Sequence, residues 1–205
     1  MIKSIENKIY DSIKRRKNGS IFFASDFACV GNGQAVNKAL ERLTNTQKIL
    51  RLSKGIYCKP RIDTELGLGV IYPTLEEIAE AIAKRDRSRI MPTGDYALNR
   101  LGLSTQVPMN AVYYTDGTPR KIQIYNGRGI RFLRVAPKRF AFKSKLAAML
   151  TFALLEVGRG NLSEEQERRI KELLATVPQE AIVNDYSLMP DWIRSIIKNS
   201  YAELS

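Results

Sequence analysis

The 205-residue sequence contains no histidine, and this absence excludes several kinds of active site. Ser-His-Asp and Cys-His catalytic arrangements need an imidazole base, and Cys/His zinc sites need imidazole ligands. Only two cysteines, Cys29 and Cys58, are present, so a disulfide framework is excluded as well. We expect both cysteines to be small buried apolar residues, and we predict no catalytic residue, no metal site and no cofactor.

Long apolar runs are also missing. No segment approaches the roughly 20 apolar residues of a membrane span, and the first residues lack the uninterrupted apolar region of a signal peptide. The sequence has no P-loop, no dinucleotide-binding glycine fingerprint and no internal repeat. We therefore expect a cytoplasmic protein without membrane contacts, whose 44% hydrophobic content suffices for a sizeable core.

Positive charge is what the sequence has in excess, with 33 Lys and Arg against 21 Asp and Glu, a net of +12. Residues 1–61 hold 13 basic and 4 acidic side chains, a net of +9, whereas residues 62–205 hold 20 and 17, a net of +3. A positive field attracts polyanions. This uneven distribution favours a nucleic-acid-binding function for the first third of the chain over a generally basic surface.

Residues 1–60 are predicted to form a winged helix-turn-helix DNA-binding domain. Isoleucines at steps of three and four predict a first helix, on one face of which lie Ile2, Ile5, Ile9 and Ile13. A short extended segment and a short second helix follow, and apolar residues at helical spacing predict a third helix over 34–44. Alternating residues on either side of Gly55 then predict a basic β-hairpin, the wing.

In a helix-turn-helix the third helix enters the major groove, where amide and cationic side chains near its N-terminus address base edges. The predicted base-reading residues are Gln34, Asn37 and Lys38. Phosphate contacts from the third helix and the wing are predicted for Arg42, Arg51, Lys54 and Lys59. The alternative for each residue taken singly is an ordinary solvated side chain.

The rest of the chain is predicted to contain a linker over 61–73 and an α+β domain over 74–205, so the fold class is α+β. A Thr74/Glu77 capping box begins one helix, and Gly102 ends another that runs over 95–101. Asp116-Gly117 and Asn126-Gly127 separate three β-rich runs, which predicts an antiparallel β-meander. Terminal helices are predicted over 145–157, 163–175 and 191–201.

A second basic zone lies between residues 117 and 145, which include no Asp or Glu. Its members are Arg120, Lys121, Arg128, Arg131, Arg134, Lys138, Arg139, Lys143 and Lys145. The sequence leaves three alternatives for these side chains. They bind nucleic acid, they bind an acidic partner protein, or the strands distribute them over several faces, where they contact only water.

Two motifs give the chain a resemblance to a known family. The wing reads Ile49-Leu50-Arg51-Leu52-Ser53-Lys54-Gly55-Ile56-Tyr57, and residues 94–108 read GDYALNRLGLSTQVP. The sequence resembles the AbiEi family of antitoxins, which belong to type IV, abortive-infection toxin-antitoxin systems. The similarity of order covers most of residues 1–140, and the second motif is the more specific of the two.

This resemblance implies an antitoxin that binds inverted repeats in its own promoter, represses its operon and antagonises a nucleotidyltransferase-like toxin, without a requirement for direct contact. It leaves the oligomeric state open. Two alternatives remain, a stand-alone winged-helix regulator and a metal-dependent nuclease that uses carboxylates such as Glu76, Glu77 and Asp95. Because these carboxylates occupy positions typical of helix capping, we favour the non-enzymatic function.

Overall fold

The structure is a computed structural model that describes residues 4–65 and 67–204, apart from the side chain of Asn126. Residues 1–3 of the predicted winged-helix domain, Ile2 included, therefore lie outside the described residues. The fold is α+β, as predicted. The chain divides into two compact units: unit 1 comprises Met1–Ile82 and Ile122–Gly127, and unit 2 comprises Ala83–Lys121 and Arg128–Ser205.

The described residues form α-helices and short 3₁₀ helices. The α-helices are α1 (Ile5–Lys14), α2 (Gly33–Asn45), α3 (Leu75–Asp86), α4 (Gly94–Leu101), α5 (Lys145–Val157), α6 (Glu164–Ala175), α7 (Glu180–Val183) and α8 (Asp191–Ala202). The 3₁₀ helices span Ala24–Phe27, Tyr125–Gly127, Pro137–Phe140 and Tyr186–Leu188.

The strands form three sheets. They are β1 (Ile21–Phe23), β2 (Leu50–Ser53), β3 (Ile56–Cys58), β4 (Arg61–Asp63), β5 (Gly69–Ile71), β6 (Ile90–Pro92), β7 (Asn110–Thr115), β8 (Arg120–Gln123) and β9 (Gly129–Arg134). Their orders are β1-β3-β2, β4-β5 and β6-β7-β9-β8.

In unit 1 the elements follow the predicted order of helix, extended segment, short helix, helix and hairpin. Strand β3 pairs antiparallel with both β1 and β2. Lys54 and Gly55 form the β2-β3 turn. The φ of Gly55 is 74°, a value that glycine adopts without strain and other residues do not. Apolar stripes of α1 and α2 meet Phe22, Phe27 and Tyr57 in one core. This core positions the opposite face of α2 toward solvent.

Residues 61–73, for which the sequence predicts a linker, contain the β4-β5 hairpin. Ile62 pairs with Val70 across the two strands, although both side chains are largely exposed. The ring of Tyr72 lies 4.4 Å from that of Tyr125, whose hydroxyl donates to the Pro73 carbonyl. These contacts join the segment 122–127 to unit 1.

The prediction of an antiparallel meander is wrong. The three predicted strands exist, but β7 pairs parallel with β9, and β8 lies at the sheet edge beyond β9. The turn residues predict local reversals correctly without specifying which strands pair. Strand β9 buries Ile130 and Phe132 and therefore takes a central position, while β8, with alternating half-exposed and exposed residues, remains at the edge.

The core of unit 2 is built around α5, in which every residue from Ala147 to Leu154 is buried. Residues of α4, α6 and α8 pack into the same cluster. The predicted helices over 145–157, 163–175 and 191–201 are confirmed to within one residue at each end. Over the described part of the chain, no helix has both the length and the apolar composition to cross a membrane.

One cysteine prediction holds and the other is wrong. Cys58 is fully buried in β3, and burial, with the nearby charge of Glu77, raises the pKa of its thiol to about 12. Cys29 is exposed in the turn between the 3₁₀ helix Ala24–Phe27 and α2. Both thiols are free.

Candidate nucleic-acid interface

The surface of α2 presents the three predicted base-reading residues together. Val36, Ala39, Leu40 and Leu43 are buried on one side of the helix, whereas Gln34, Asn37 and Lys38 are all exposed on the other. Their spacing of three and four residues places them on one face within the first two turns. This arrangement leaves two amides and one ammonium group available to the same ligand.

An asparagine side chain caps the N-terminus of α2. The Asn32 Oδ1 accepts the Ala35 backbone N–H at 2.8 Å, which caps the helix, and Gly33 carries no side chain to cover the end. The remaining free N–H groups and the helix dipole make this end electropositive.

The β2-β3 hairpin carries two exposed cations, Arg51 on β2 and Lys54 in the turn. Arg51 lies opposite Tyr57 in the sheet. Burial raises the pKa of the Tyr57 hydroxyl, and Arg51 lowers it while Glu41 of α2 raises it. The Tyr57 hydroxyl is therefore subject to one charge from the hairpin and one from the exposed face of α2.

The other two predicted phosphate-binding residues have partners within unit 1. Arg42 extends from α2 to Glu6 of α1, with 3.7 Å between Nη1 and Oε2, and remains 69% exposed. Lys59 is half-buried, and its Nζ donates to the carbonyls of Lys14 and Arg16 at 2.9 and 2.7 Å. Lys59 thus neutralises the C-terminal end of α1, where a cation is favourable.

The second basic zone is not one surface. Arg120 pairs with Asp86 and lies over Phe132, whose ring is stacked with Tyr113. Arg139 lies over Tyr114 instead, 5.9 Å from its ring centroid. Because Tyr113 and Tyr114 are consecutive in β7, their rings occupy opposite faces of the sheet.

The remaining members of this zone are distributed from β8 through β9 and the following 3₁₀ helix to the start of α5. Arg131 and Arg134 of β9 are three residues apart and so point to opposite faces. Lys121, Lys138, Lys143 and Lys145 are exposed, and Arg128 is half-buried. The structure therefore separates charges that lie close together in the sequence. This is the distribution over several faces that the water-contact alternative assumes.

Two further features of unit 1 belong to the electrostatics of this region. Glu41 occupies the middle of the exposed face of α2, one turn after Asn37 and Lys38, and its helical spacing in the sequence already indicates that position. The ammonium groups of Lys14 and Lys48 lie 4.4 and 4.9 Å from the ring centroid of Tyr10. Helical spacing indicates the contact of Tyr10 with Lys14, four residues later in α1, but no local pattern in the sequence indicates the approach of Lys48 from a distant segment.

The family follows from comparison of the whole chain. Residues 8–182 match a family described as "Family of unknown function (DUF6088)", a range that includes α2, the hairpin and the whole second basic zone. The chain belongs to the DUF6088 family. No match among curated proteins is found.

This DUF6088 protein is also similar to a solved structure, the crystal structure of the RV2827C protein from Mycobacterium tuberculosis. The two chains share 14% sequence identity with a TM-score of 0.48, and the similarity covers 98% of this chain and 78% of that one. Within the described residues of this DUF6088 member, no three or more Cys, Asp or Glu side chains form a group that could hold a metal ion.

Proposed function

We propose that the N-terminal part of unit 1 is a winged helix-turn-helix that binds double-stranded DNA. The observation that carries this proposal is the division of α2 into two faces, one wholly buried and one that exposes Gln34, Asn37 and Lys38 beside a basic hairpin. A helix supported from behind by a core and flanked by a β-hairpin has the dimensions that enter a major groove.

The roles of the side chains follow from this placement. Gln34 and Asn37 pair with adenine edges through their amides, and Lys38 donates to guanine. Arg51 and Lys54 on the hairpin bind phosphates and supply affinity that depends on salt. Glu41, one helical turn after Asn37 and Lys38 on the exposed face of α2, repels phosphate, so it discriminates against binding outside the correct register.

Arg42 and Lys59 differ in their proposed contribution to phosphate binding. Arg42 is largely exposed despite its contact with Glu6 and retains a role in phosphate binding. Lys59 serves the fold, because two carbonyls at the end of α1 already accept its N–H groups. We therefore leave Lys59 out of the proposed DNA contacts.

The proposed biological role is that of an antitoxin and autorepressor in the cytoplasm, which represses its own operon and antagonises a nucleotidyltransferase-like toxin. It rests on the resemblance of residues 94–108 to AbiEi antitoxins and on the proposed DNA-binding domain. In the structure this motif forms α4 and the segment after it, with Leu98 and Leu101 in the core of unit 2. The motif therefore contributes to the core of unit 2.

DNA binding is tested by fluorescence anisotropy with a duplex from the promoter of the chain's own gene that contains an inverted repeat. We expect salt-sensitive binding in which log Kd changes with log salt by about 0.9 for each neutralised phosphate. A scrambled duplex of the same length and composition is the control. Equal affinity for both duplexes would contradict the proposal of sequence-specific recognition.

Antitoxin activity is tested separately, by expression of the neighbouring open reading frame with and without this chain. Growth arrest by the neighbour and its relief by the full chain is the expected result. A variant with Asn37→Ala and Lys54→Ala separates the two roles, because it should relieve arrest when expressed from an unrelated promoter while losing repression. Repression without any relief of arrest would instead support the stand-alone regulator.

A further inference from the structure

Unit 1 contains a cleft of about 430 Å³ that the proposed DNA contacts do not use. Its walls come from the C-terminal half of α1, from the residues that follow α2, and from Pro60 and the residues beside it after β3. The Lys54-Gly55 turn lies at the opposite end of β3. A volume of this size falls within the range of small-molecule sites in proteins.

Positive charge is concentrated in this cleft. Lys14, Lys48 and Lys59 all line it, and none of the described lining residues is acidic. The first two ammonium groups lie against one ring, that of Tyr10, at 4.4 and 4.9 Å from its centroid. The ring attracts each cation, and the Nζ of Lys14 also lies 3.8 Å from the Oδ1 of Asp11 in the preceding turn of α1.

The third ammonium group is fixed by the backbone. The Nζ of Lys59 donates to the Lys14 and Arg16 carbonyls and is half-buried, so two of its three N–H groups are occupied. Its position is therefore set before any ligand arrives, and the charge that it brings to the cleft carries little additional ordering cost.

Gln47 adds an amide to the same cleft from an unfavourable backbone conformation. It follows the last turn of α2 with a φ of 56°, in the left-handed region where helices usually end with glycine. A glycine at position 47 would relieve this strain but would remove the amide from the cleft. Arg87 takes the same conformation after α3, so it is the place of Gln47 in the lining of the cleft, and not the strain, that makes its amide a candidate ligand.

From this geometry we infer that the cleft binds an oxyanion of a small molecule, a phosphate or carboxylate group. Lys14 and Lys48 neutralise the anion, and the Gln47 amide donates a hydrogen bond to it. Lys59 contributes a fixed positive charge at the C-terminal end of α1. Charge-assisted hydrogen bonds of this kind are the strong ones in proteins. This inference is independent of the proposed DNA binding, because the residues differ.

The test is an NMR titration of the isotope-labelled full chain with inorganic pyrophosphate, inorganic phosphate and citrate in separate arms. We expect saturable shifts confined to the backbone amides of Gln47, Lys48, Lys59 and Arg61. Tighter binding of pyrophosphate than of citrate identifies a phosphate site, and the reverse order identifies a carboxylate site. Diffuse shifts that do not saturate with any of the three probes would overturn the inference.

Matched variants separate a site from general attraction. Lys48→Ala should weaken binding of the preferred probe about tenfold, as expected for the loss of one charge-assisted hydrogen bond. Lys8→Ala removes the same charge from an exposed position of α1 outside the cleft and should change the Kd less than twofold. Equal weakening by both variants would overturn the inference.

Gln47→Gly provides a readout that a purely structural role would not change. It should raise the Tm, because it relieves the left-handed strain, and at the same time raise the Kd of the probe. Arg87 ends α3 with a φ of 52°, so Arg87→Gly is the control that should raise the Tm alone. If Gln47→Gly raises the Tm and leaves the Kd unchanged, the amide is not part of a site.

A last measurement distinguishes a small-molecule cleft from a DNA-phosphate contact. Lys48→Ala should leave the affinity for promoter DNA unchanged, whereas Lys54→Ala should reduce it if the proposed DNA function is correct. A loss of DNA affinity in Lys48→Ala, together with no binding of any small anion, would overturn the inference and assign the cleft to DNA. Failure of DNA binding in all variants would contradict the proposed function and leave the anion titration to decide on the cleft.

Discussion

At the scale of single residues, the proposed interface separates side chains that read bases from those that bind phosphate. Asn37→Ala should lower the ratio of specific to nonspecific affinity by about 1–3 kcal/mol, since an amide pairs bidentately with one base. Lys54→Ala should weaken binding to all sequences alike and reduce the salt slope by about 0.9. Anisotropy with promoter and scrambled duplexes at several salt concentrations measures both quantities, and the opposite pattern would mean that helix and wing are misassigned.

The two cysteines offer a second residue-scale prediction. Cys29 is exposed, whereas Cys58 is buried with its pKa raised to about 12, so an alkylating reagent should reach Cys29 and not Cys58. We expect iodoacetamide at pH 8 to modify Cys29 in the native protein and Cys58 only in denaturant, as followed by mass spectrometry of peptides. Equal rates for the two thiols under native conditions would contradict the burial of β3.

At the scale of the helix, Gly102 shows why α4 ends where it does. Its φ is 70°, and an added Cβ would lie 3.0 Å from the Nε of Arg169, which donates to the Leu101 carbonyl. Gly102→Ala should therefore cost about 1 kcal/mol for backbone strain and about 1–2 kcal/mol more for the displaced hydrogen bond.

Gly160→Ala is the matched control for this change. Its φ is 80°, yet a Cβ there would meet nothing within 4 Å among the described atoms, so only the backbone strain should lower the free energy of unfolding. Urea denaturation monitored by circular dichroism gives both free energies of unfolding. Similar losses in the two variants would show that the contact with Arg169 contributes little.

The start of α5 depends on a residue from a distant segment. The buried carboxylate of Asp185 accepts the backbone N–H groups of Lys143 and Ser144 at 2.9 and 2.8 Å. Asp185→Asn should destabilise the fold by about 2–3 kcal/mol, because each N–H bonds to a different carboxylate oxygen and the NH2 group that replaces one oxygen would face a part-buried N–H donor.

Asp191→Asn is the control for Asp185→Asn. The Asp191 side chain is 91% exposed and contacts Arg194, so its replacement should change the free energy of unfolding by less than about 0.5 kcal/mol. Chemical denaturation at neutral pH compares the two variants. A loss in Asp185→Asn no larger than in Asp191→Asn would contradict the proposed support of α5.

At the scale of the whole molecule, the protein should lose stability in acid. Burial opposes ionisation of Asp86 and Asp116, but hydrogen bonds from Arg85 and Arg120 to the first, and from Arg89 to the second, hold both pKa values below the ordinary one. Each carboxylate therefore stabilises the folded state above about pH 4, and this contribution disappears as the pH falls through its lowered pKa.

Free energies of unfolding between pH 6 and pH 2 test this expectation. Asp86→Asn and Asp116→Asn should each be slightly less stable at pH 6, by no more than about 1 kcal/mol for such partly exposed pairs. Both variants should lose less stability than the wild type on acidification. An unchanged pH dependence in both would mean that other carboxylates dominate acid unfolding.

What the sequence alone determined is the position and kind of the local elements. The helices of unit 1, its hairpin, the Thr74/Glu77 capping box and the whole of α5 were predictable, because periodicity, caps and turn glycines act within a few residues. The exposed face of α2 follows from the same periodicity, so Gln34, Asn37 and Lys38 are grouped as predicted.

Only the tertiary structure decided how distant segments meet. It placed β9 beside β7 because burial of Ile130 and Phe132 outweighs the local turn signals, and it directed Lys59 to the carbonyls at the end of α1. It also distributed the second basic zone over both faces of a sheet. These outcomes depend on which surfaces are buried together, and such pairing energies arise between residues tens of positions apart.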